Sequence, residues 1–149
     1  MRTTKNILIL FVILIIASSC QKYDDGPAIS FRSKKARVAG KWNTDKWMIN
    51  KIYLSTDQDT DRRAEFTVDG IYYYHERNPI THEVIDLKGT WDFQHNKEQL
   101  ILGLPTNVDS QMTYQIWDII RLKNKELWLE MVVYGFPNST IYEWRLKPE

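Results

Sequence analysis

Cysteine is almost absent: Cys20 is the only one in 149 residues, which excludes an internal disulfide framework. An excess of either charge is missing too. Twenty basic side chains stand against 19 acidic ones, a formal +1, and this mixed balance gives no electrostatic footprint for nucleic acid. The N-terminal apolar run, Ile7 to Ala17, is about half of the roughly 20 residues a membrane-spanning helix needs. No internal repeat, low-complexity tract, nucleophile elbow, phosphate loop or neighbouring Ser, His and Asp set occurs. Nothing local therefore points to catalysis or to a bound cofactor. A hydrolytic site assembled from residues distant in sequence stays open as the alternative.

The N terminus carries an address. Arg2 and Lys5 precede the apolar run, and Ala17-Ser18-Ser19 places small residues before Cys20. This is the three-part pattern of a signal peptide over residues 1–19. The stretch resembles the lipobox of bacterial lipoproteins, with Ala17 where leucine is usual. That resemblance implies that the Cys20 thiol receives diacylglycerol and becomes an acylated N terminus carrying chains such as palmitate. Each acyl methylene contributes about 0.8 kcal/mol in the bilayer, and about two such signals make an anchor stable. Residues 20–32 begin with the polar run Gln21 to Pro27 and read as a tether. Gln21-Lys22-Tyr23-Asp24-Asp25 also resembles the acidic export signal of Bacteroidota surface lipoproteins. It implies an outer-membrane protein facing the cell surface, with the periplasmic face as the alternative. Without Arg2 and Lys5 the formal balance is −1, with 18 basic against 19 acidic residues. The basic cluster Arg32 to Arg37 is expected to be a solvated helix face.

Residues 33–149 are long enough for one domain. Ser33 is placed to cap a short helix over 34–39, closed by Gly40. Beyond it β-branched and aromatic residues dominate, and turn signals recur every 8 to 15 residues. The expectation is an all-β barrel of eight strands, near 41–54, 63–68, 71–77, 84–93, 98–103, 112–122, 126–134 and 139–147. Asp69-Gly70 supplies a tight hairpin, since glycine tolerates positive φ. Asn96-Lys97 and Lys123 to Glu126 mark two more turns. Pairing Leu122 with Leu127 sets Ile120 against Leu129 and Ile116 against Val133. Tyr142, Trp144 and Leu146 alternate with Glu143, Arg145 and Lys147, one apolar and one polar face. Every connection is a local hairpin, so an up-and-down antiparallel meander follows, and closure removes its exposed edges.

Gly40-Lys41-Trp42 resembles the G-x-W signature of lipocalins. The resemblance implies that Trp42 packs across the closed end of the barrel, with Arg145 as the arginine beneath it. Phe66 to Tyr72, Gly89-Thr90-Trp91-Asp92-Phe93 and Leu122 to Leu129 resemble the lipocalin-like lipoproteins of Bacteroidota, over roughly residues 36–147.

A barrel of eight strands is either filled by side chains or holds one small ligand. Trp42, Phe66, Tyr72, Tyr74, Trp91, Phe93, Tyr114 and Trp144 are expected to point inward. They make either a packed core or an aromatic pocket for a small hydrophobic ligand, with Trp91, Tyr114, Asp118 and Trp144 as its candidate lining. The register above places Asp118 inward opposite Met131, where a carboxylate must be paired, protonated or wet; a β-bulge turning it outward is the competing reading. Trp117, Ile119, Trp128 and Val132 then form an outward apolar face, either a surface for a partner in a cell-surface complex or one covered by the N-terminal helix. Pairing Val133 with Thr140 seats Trp128 between Arg121 and Arg145 and sets Glu130 against Glu143. Asp57 to Asp61 resembles the start of an EF-hand, but Arg62 replaces the glycine and Val68 the acid, so a solvated loop is expected. His75-Glu76, His82-Glu83 and His95 lack the spacing of a helical zinc motif. Asn138-Ser139-Thr140 is read as turn chemistry.

Overall fold

The computed structural model describes residues 32–54, 61–78, 80–106 and 111–149. The signal peptide, Cys20, nearly all of the tether and most of the EF-hand-like segment lie outside the described residues. Ser33 accepts a hydrogen bond from the Ala36 amide, 3.1 Å, and starts helix α1, Lys34–Val38. Strands follow as β1 (Gly40–Ile49), β2 (Ile52–Leu54), β3 (Asp61–Phe66), β4 (Ile71–Arg77), β5 (Val84–Gln94), β6 (Gln99–Pro105), β7 (Met112–Lys123), β8 (Glu126–Val133) and β9 (Thr140–Pro148). The first expected strand is divided in two. Asn50 and Lys51, at φ 52° and 64°, turn the chain back, and β2 pairs only with the end of β1.

The other eight strands pair antiparallel in the order β1, β3, β4, β5, β6, β7, β8, β9, and β9 returns to β1. This is a closed up-and-down antiparallel barrel of eight strands. Gly70, at φ 86°, makes the β3–β4 turn, where its amide donates to the Thr67 carbonyl. Residues 124 and 125 make the two-residue β7–β8 turn, with Lys123 opposite Glu126 and Leu122 opposite Leu127 as expected. His95–Lys97 forms a single turn in which all three residues have positive φ.

Two β-bulges decide which side chains point inward. In β7 the pairing shifts between Ile119 and Arg121, so Ile119, not Ile120, opposes Leu129. A bulge inserts one residue and reverses every orientation on one side of it. Trp117 and Ile119 are therefore buried, while Ile116 and Asp118 are exposed. This corrects the expected inward positions of Asp118, Ile116 and Tyr114, the last of which is 61% exposed. It also removes the expected outward face, because Trp117 and Ile119 lie inside. Asp118 instead accepts from the Gln99 side-chain amide at 2.7 Å on the outer wall. A second shift, between Thr44 and Lys46 in β1, puts Trp47 opposite Trp144.

The barrel has two unlike ends. One is closed by α1, whose Val38 is fully buried and accepts from the Trp42 indole N–H at 2.8 Å. Beneath it Trp42, Phe66, Trp91, Leu100, Leu122, Leu127 and Leu146 fill the interior. Arg145 is not beneath Trp42. It lies outside, 4.0 Å from the Trp128 ring, with Arg121 at 4.2 Å on the same ring. The expected guanidinium sandwich is thus present, and it holds Arg145 outside, away from the place beneath Trp42 that the resemblance implied. The arginine buried at the closed end is Arg37, which donates to the Leu122 carbonyl. Glu130 does oppose Glu143. Lys51 Nζ bridges them at 2.6 and 3.4 Å, and Arg145 Nε adds a 2.6 Å contact to Glu143. The hydrogen bond to Glu130 holds the Lys51 ammonium above its usual pKa, against desolvation and with further help from the charge of Glu130 and from Glu143.

Candidate functional site

Away from α1 the filling stops. The interior opens into a cavity of about 370 Å³ bounded by β1, β4, β5, β6, β7, β8 and β9. Its floor is a triad of tryptophans delivered by the two bulged strands and β9. Trp47 lies 6.0 Å from Trp117 and 5.8 Å from Trp144, and Trp117 lies 6.1 Å from Trp144, all mutually tilted. Offset and tilted rings bring positive edges to negative faces, a gain of about 0.5–1.5 kcal/mol per pair beyond burial. Tyr72, Tyr74, Leu87 and Leu104 form one wall; Met131, Val133 and Tyr142 form the other.

Two of the three floor indoles have their polar atoms engaged within the wall. Trp144 Nε1 donates to Thr44 Oγ1 at 2.9 Å, and Trp117 Nε1 donates to Gln115 Oε1 at 3.2 Å. The rings thereby present π faces and edges to the cavity, and Gln115 keeps its amide nitrogen as a donor. Toward the mouth, Tyr74 donates to Glu76 at 2.5 Å, and Arg62 both pairs with Glu76 and stacks on Trp47 at 4.8 Å. Burial raises the Tyr72 and Tyr74 pKa values well above the ordinary phenol range, so both phenols are neutral. For Glu76 burial acts upward, but hydrogen bonds from Arg62 and Tyr74 outweigh it and the net shift is down. The polar edge of the cavity is consequently a closed ion pair rather than a free charge.

Of the four residues expected to line a pocket, Trp144 does so. Trp91 is buried in the closed half, donating to the Thr67 carbonyl at 2.9 Å, with Lys35 Nζ 5.8 Å from its ring. Tyr114 and Trp91 meet at a separate hollow of about 340 Å³ on the outer wall, beside Lys35, Asp69 and Ile101. Asp118 belongs to neither space. A further outer groove of similar volume runs past Arg63, Tyr73, His75, Asp86 and Lys88, with charged side chains beside apolar ones such as Trp42 and Leu87. There His75 Nδ1 lies 2.7 Å from Asp86. Among the described residues no three His, Cys, Asp or Glu side chains converge as metal ligands do.

Sequence reading overlooked Trp47, Gln115 and Trp117 as lining residues. A signal was available in β7. Both of its alternating faces carry apolar residues, so Asp118 was the side chain able to decide which faced water.

No protein-family model and no curated protein matches the sequence. Among solved structures, the bovine odorant-binding protein in complex with a selenium-containing odorant aligns with 81% of this chain and 76% of its own. The identity is 12% and the TM-score 0.46.

Proposed function

We propose that this chain is a non-catalytic binding protein that holds one small, mainly apolar ligand in the tryptophan-floored cavity. The carrying observation is the contrast within one barrel. The half under α1 is filled by buried side chains, whereas the other half leaves about 370 Å³ walled by ring faces and aliphatic side chains. That volume lies within the roughly 300–1,000 Å³ of small-molecule sites. Gln115 and the tyrosine hydroxyls supply the few polar contacts that would orient a ligand.

The test is titration with the neutral dye N-phenylnaphthylamine, read by energy transfer from Trp47, Trp117 and Trp144. Saturable transfer at one dye per chain is expected. Met131→Trp, which puts an indole into the space, should weaken it by roughly tenfold or more while the fold is kept. Absence of saturation, or unchanged affinity in the variant, would refute the cavity as the site.

The same reading places the protein among lipocalin-like lipoproteins of the Bacteroidota type, acylated at Cys20 and held on the outer membrane with its barrel toward the cell surface. The sequence from Arg2 to Asp25 supports it. In the native host, Cys20→Ser should abolish incorporation of labelled palmitate and release the protein from the membrane fraction. Label retained in that variant would count against acylation at Cys20.

A further inference from the structure

The two ends of the barrel differ in their surfaces as well as in their filling. At the closed end the connections are polar, with Asp69, His95-Asn96-Lys97 and Asn124-Lys125, and Val68 is the large apolar residue exposed there among those described. At the open end the described parts of the connections, and the strand ends beside them, turn large apolar side chains to solvent. Ile52 and Tyr53 come from β2, Ile80 from the β4–β5 connection, Met112 from the start of β7, and Tyr134 and Phe136 from the β8–β9 connection. Ile80 is 87% exposed, Tyr134 85%, and Phe136 fully. Scattered exposed apolar residues are ordinary, but a set drawn from separate loops around one opening marks a contact surface.

We propose that this rim is a membrane-docking surface, seating on the headgroup–acyl boundary of a zwitterionic bilayer with the cavity mouth against the lipid. Three observations select lipid as the occupant. The cavity reaches the rim on the β8 side through Val133, which both lines the space and is half exposed at its edge, while the charges on the β3–β4 side are closed into the Arg62–Glu76 pair. A lipid phase is where small apolar molecules concentrate, so a mouth seated there meets them without a passage through water. The side chains are aromatic and aliphatic, the pair of types that settles in the interfacial layer.

The described charges nearby are mixed, Lys46, Lys51, Arg62, Arg77 and His82 with Asp61, Glu76, Glu83 and Asp86, which favours neutral over anionic headgroups. Reach also permits it. The described chain starts at Arg32 beside the closed end, and the twelve residues from Cys20 extend to at most about 40 Å. A ten-residue strand such as β1 is about 33 Å long. An acyl group at Cys20 can therefore share one membrane with the mouth. Ligand supply through the mouth rests on the cavity reading, whereas the seating itself is tested without a ligand.

The chain from residue 20 onward, carrying Cys20→Ser to exclude acylation, retains every described element and is the material for the test. Cosedimentation with phosphatidylcholine vesicles should be saturable. The double variant Ile80→Asp/Phe136→Asp should bind roughly tenfold more weakly or worse, because two anchors become charges. Val68→Asp at the closed end should bind as the parent does. An environment-sensitive dye on Tyr134→Cys should shift to the blue with vesicles, and the same dye on Lys125→Cys should not. Naphthylamine binding retained by the double variant reports an intact barrel and separates loss of docking from loss of the cavity. The proposal is overturned by a parent that stays in the supernatant, by a double variant that sediments equally, or by a blue shift at position 125 alone. It is equally overturned by a lipid-free dimer that the double variant disperses, since the rim would then cover a second copy.

Discussion

Trp144→Ala lowers the free energy of unfolding by about 3–5 kcal/mol, the range for truncating a fully buried tryptophan. Trp144 is 2% exposed and sits at the junction of the filled and hollow halves. Its ring meets Trp47, Trp117 and Tyr74 at 5.8, 6.1 and 5.9 Å, and its N–H is held by Thr44. Alanine removes all of these at once. The vacated space joins the existing cavity, so neighbours have little to collapse against and the cost falls toward the upper end. Urea unfolding checks this, with Trp144→Phe as the companion, which should lose less because a ring still fills the floor. A loss below about 1 kcal/mol for alanine would mean that the triad is not what joins β1, β7 and β9 inside the barrel.

Gly89→Ala is the second large effect, expected at about 3 kcal/mol or more of destabilisation, at the top of the overpacking range. The sign is informative. Away from steric conflict, Gly→Ala stabilises by about 0.4–1 kcal/mol through the unfolded chain. At position 89, however, a Cβ would lie 2.0 Å from the Gly103 carbonyl oxygen, a backbone atom of the adjacent strand β6. The nearest atom is backbone and cannot rotate away, so β5 and β6 must separate at this point. Gly135→Ala is the control, because its nearest neighbour would be an Asn138 oxygen at 3.4 Å. Comparing their thermal midpoints isolates the close strand approach from the general effect of removing glycine.

The hairpins were legible because turns make chemical demands that individual residues answer. Asp69-Gly70, the short Lys123–Glu126 connection and the alternation from Tyr142 to Lys147 placed β3 against β4, β7 against β8, and β9 in register. From the last two came the seat of Trp128 between two arginines. The bulge at Asp45 was not legible, because an inserted residue carries no side-chain signature of its own, whereas the one at Ile120 was open as the alternative that an inward Asp118 raised. One such insertion exchanged Gln115 and Trp117 for Tyr114, Ile116 and Asp118 on the interior wall. The Arg145 expectation failed for a related reason. A resemblance at Gly40 and Trp42 says nothing about which face a distant strand presents, whereas the alternation around Trp144 already pointed Arg145 outward. The hollow was beyond pattern reading altogether, since identical alternation serves the packed half and the open half. It arises from where three indoles come to rest against one another.

The arginine sandwich also has a spectroscopic use. Of the six tryptophans, Trp128 stands on the outer wall between its two guanidinium groups, with the sheet separating it from the lumen. The other five report on the inside. Trp128 therefore serves as a built-in reference fluorophore: a change confined to interior emission reads occupancy, whereas a change shared by Trp128 reads distortion of the shell.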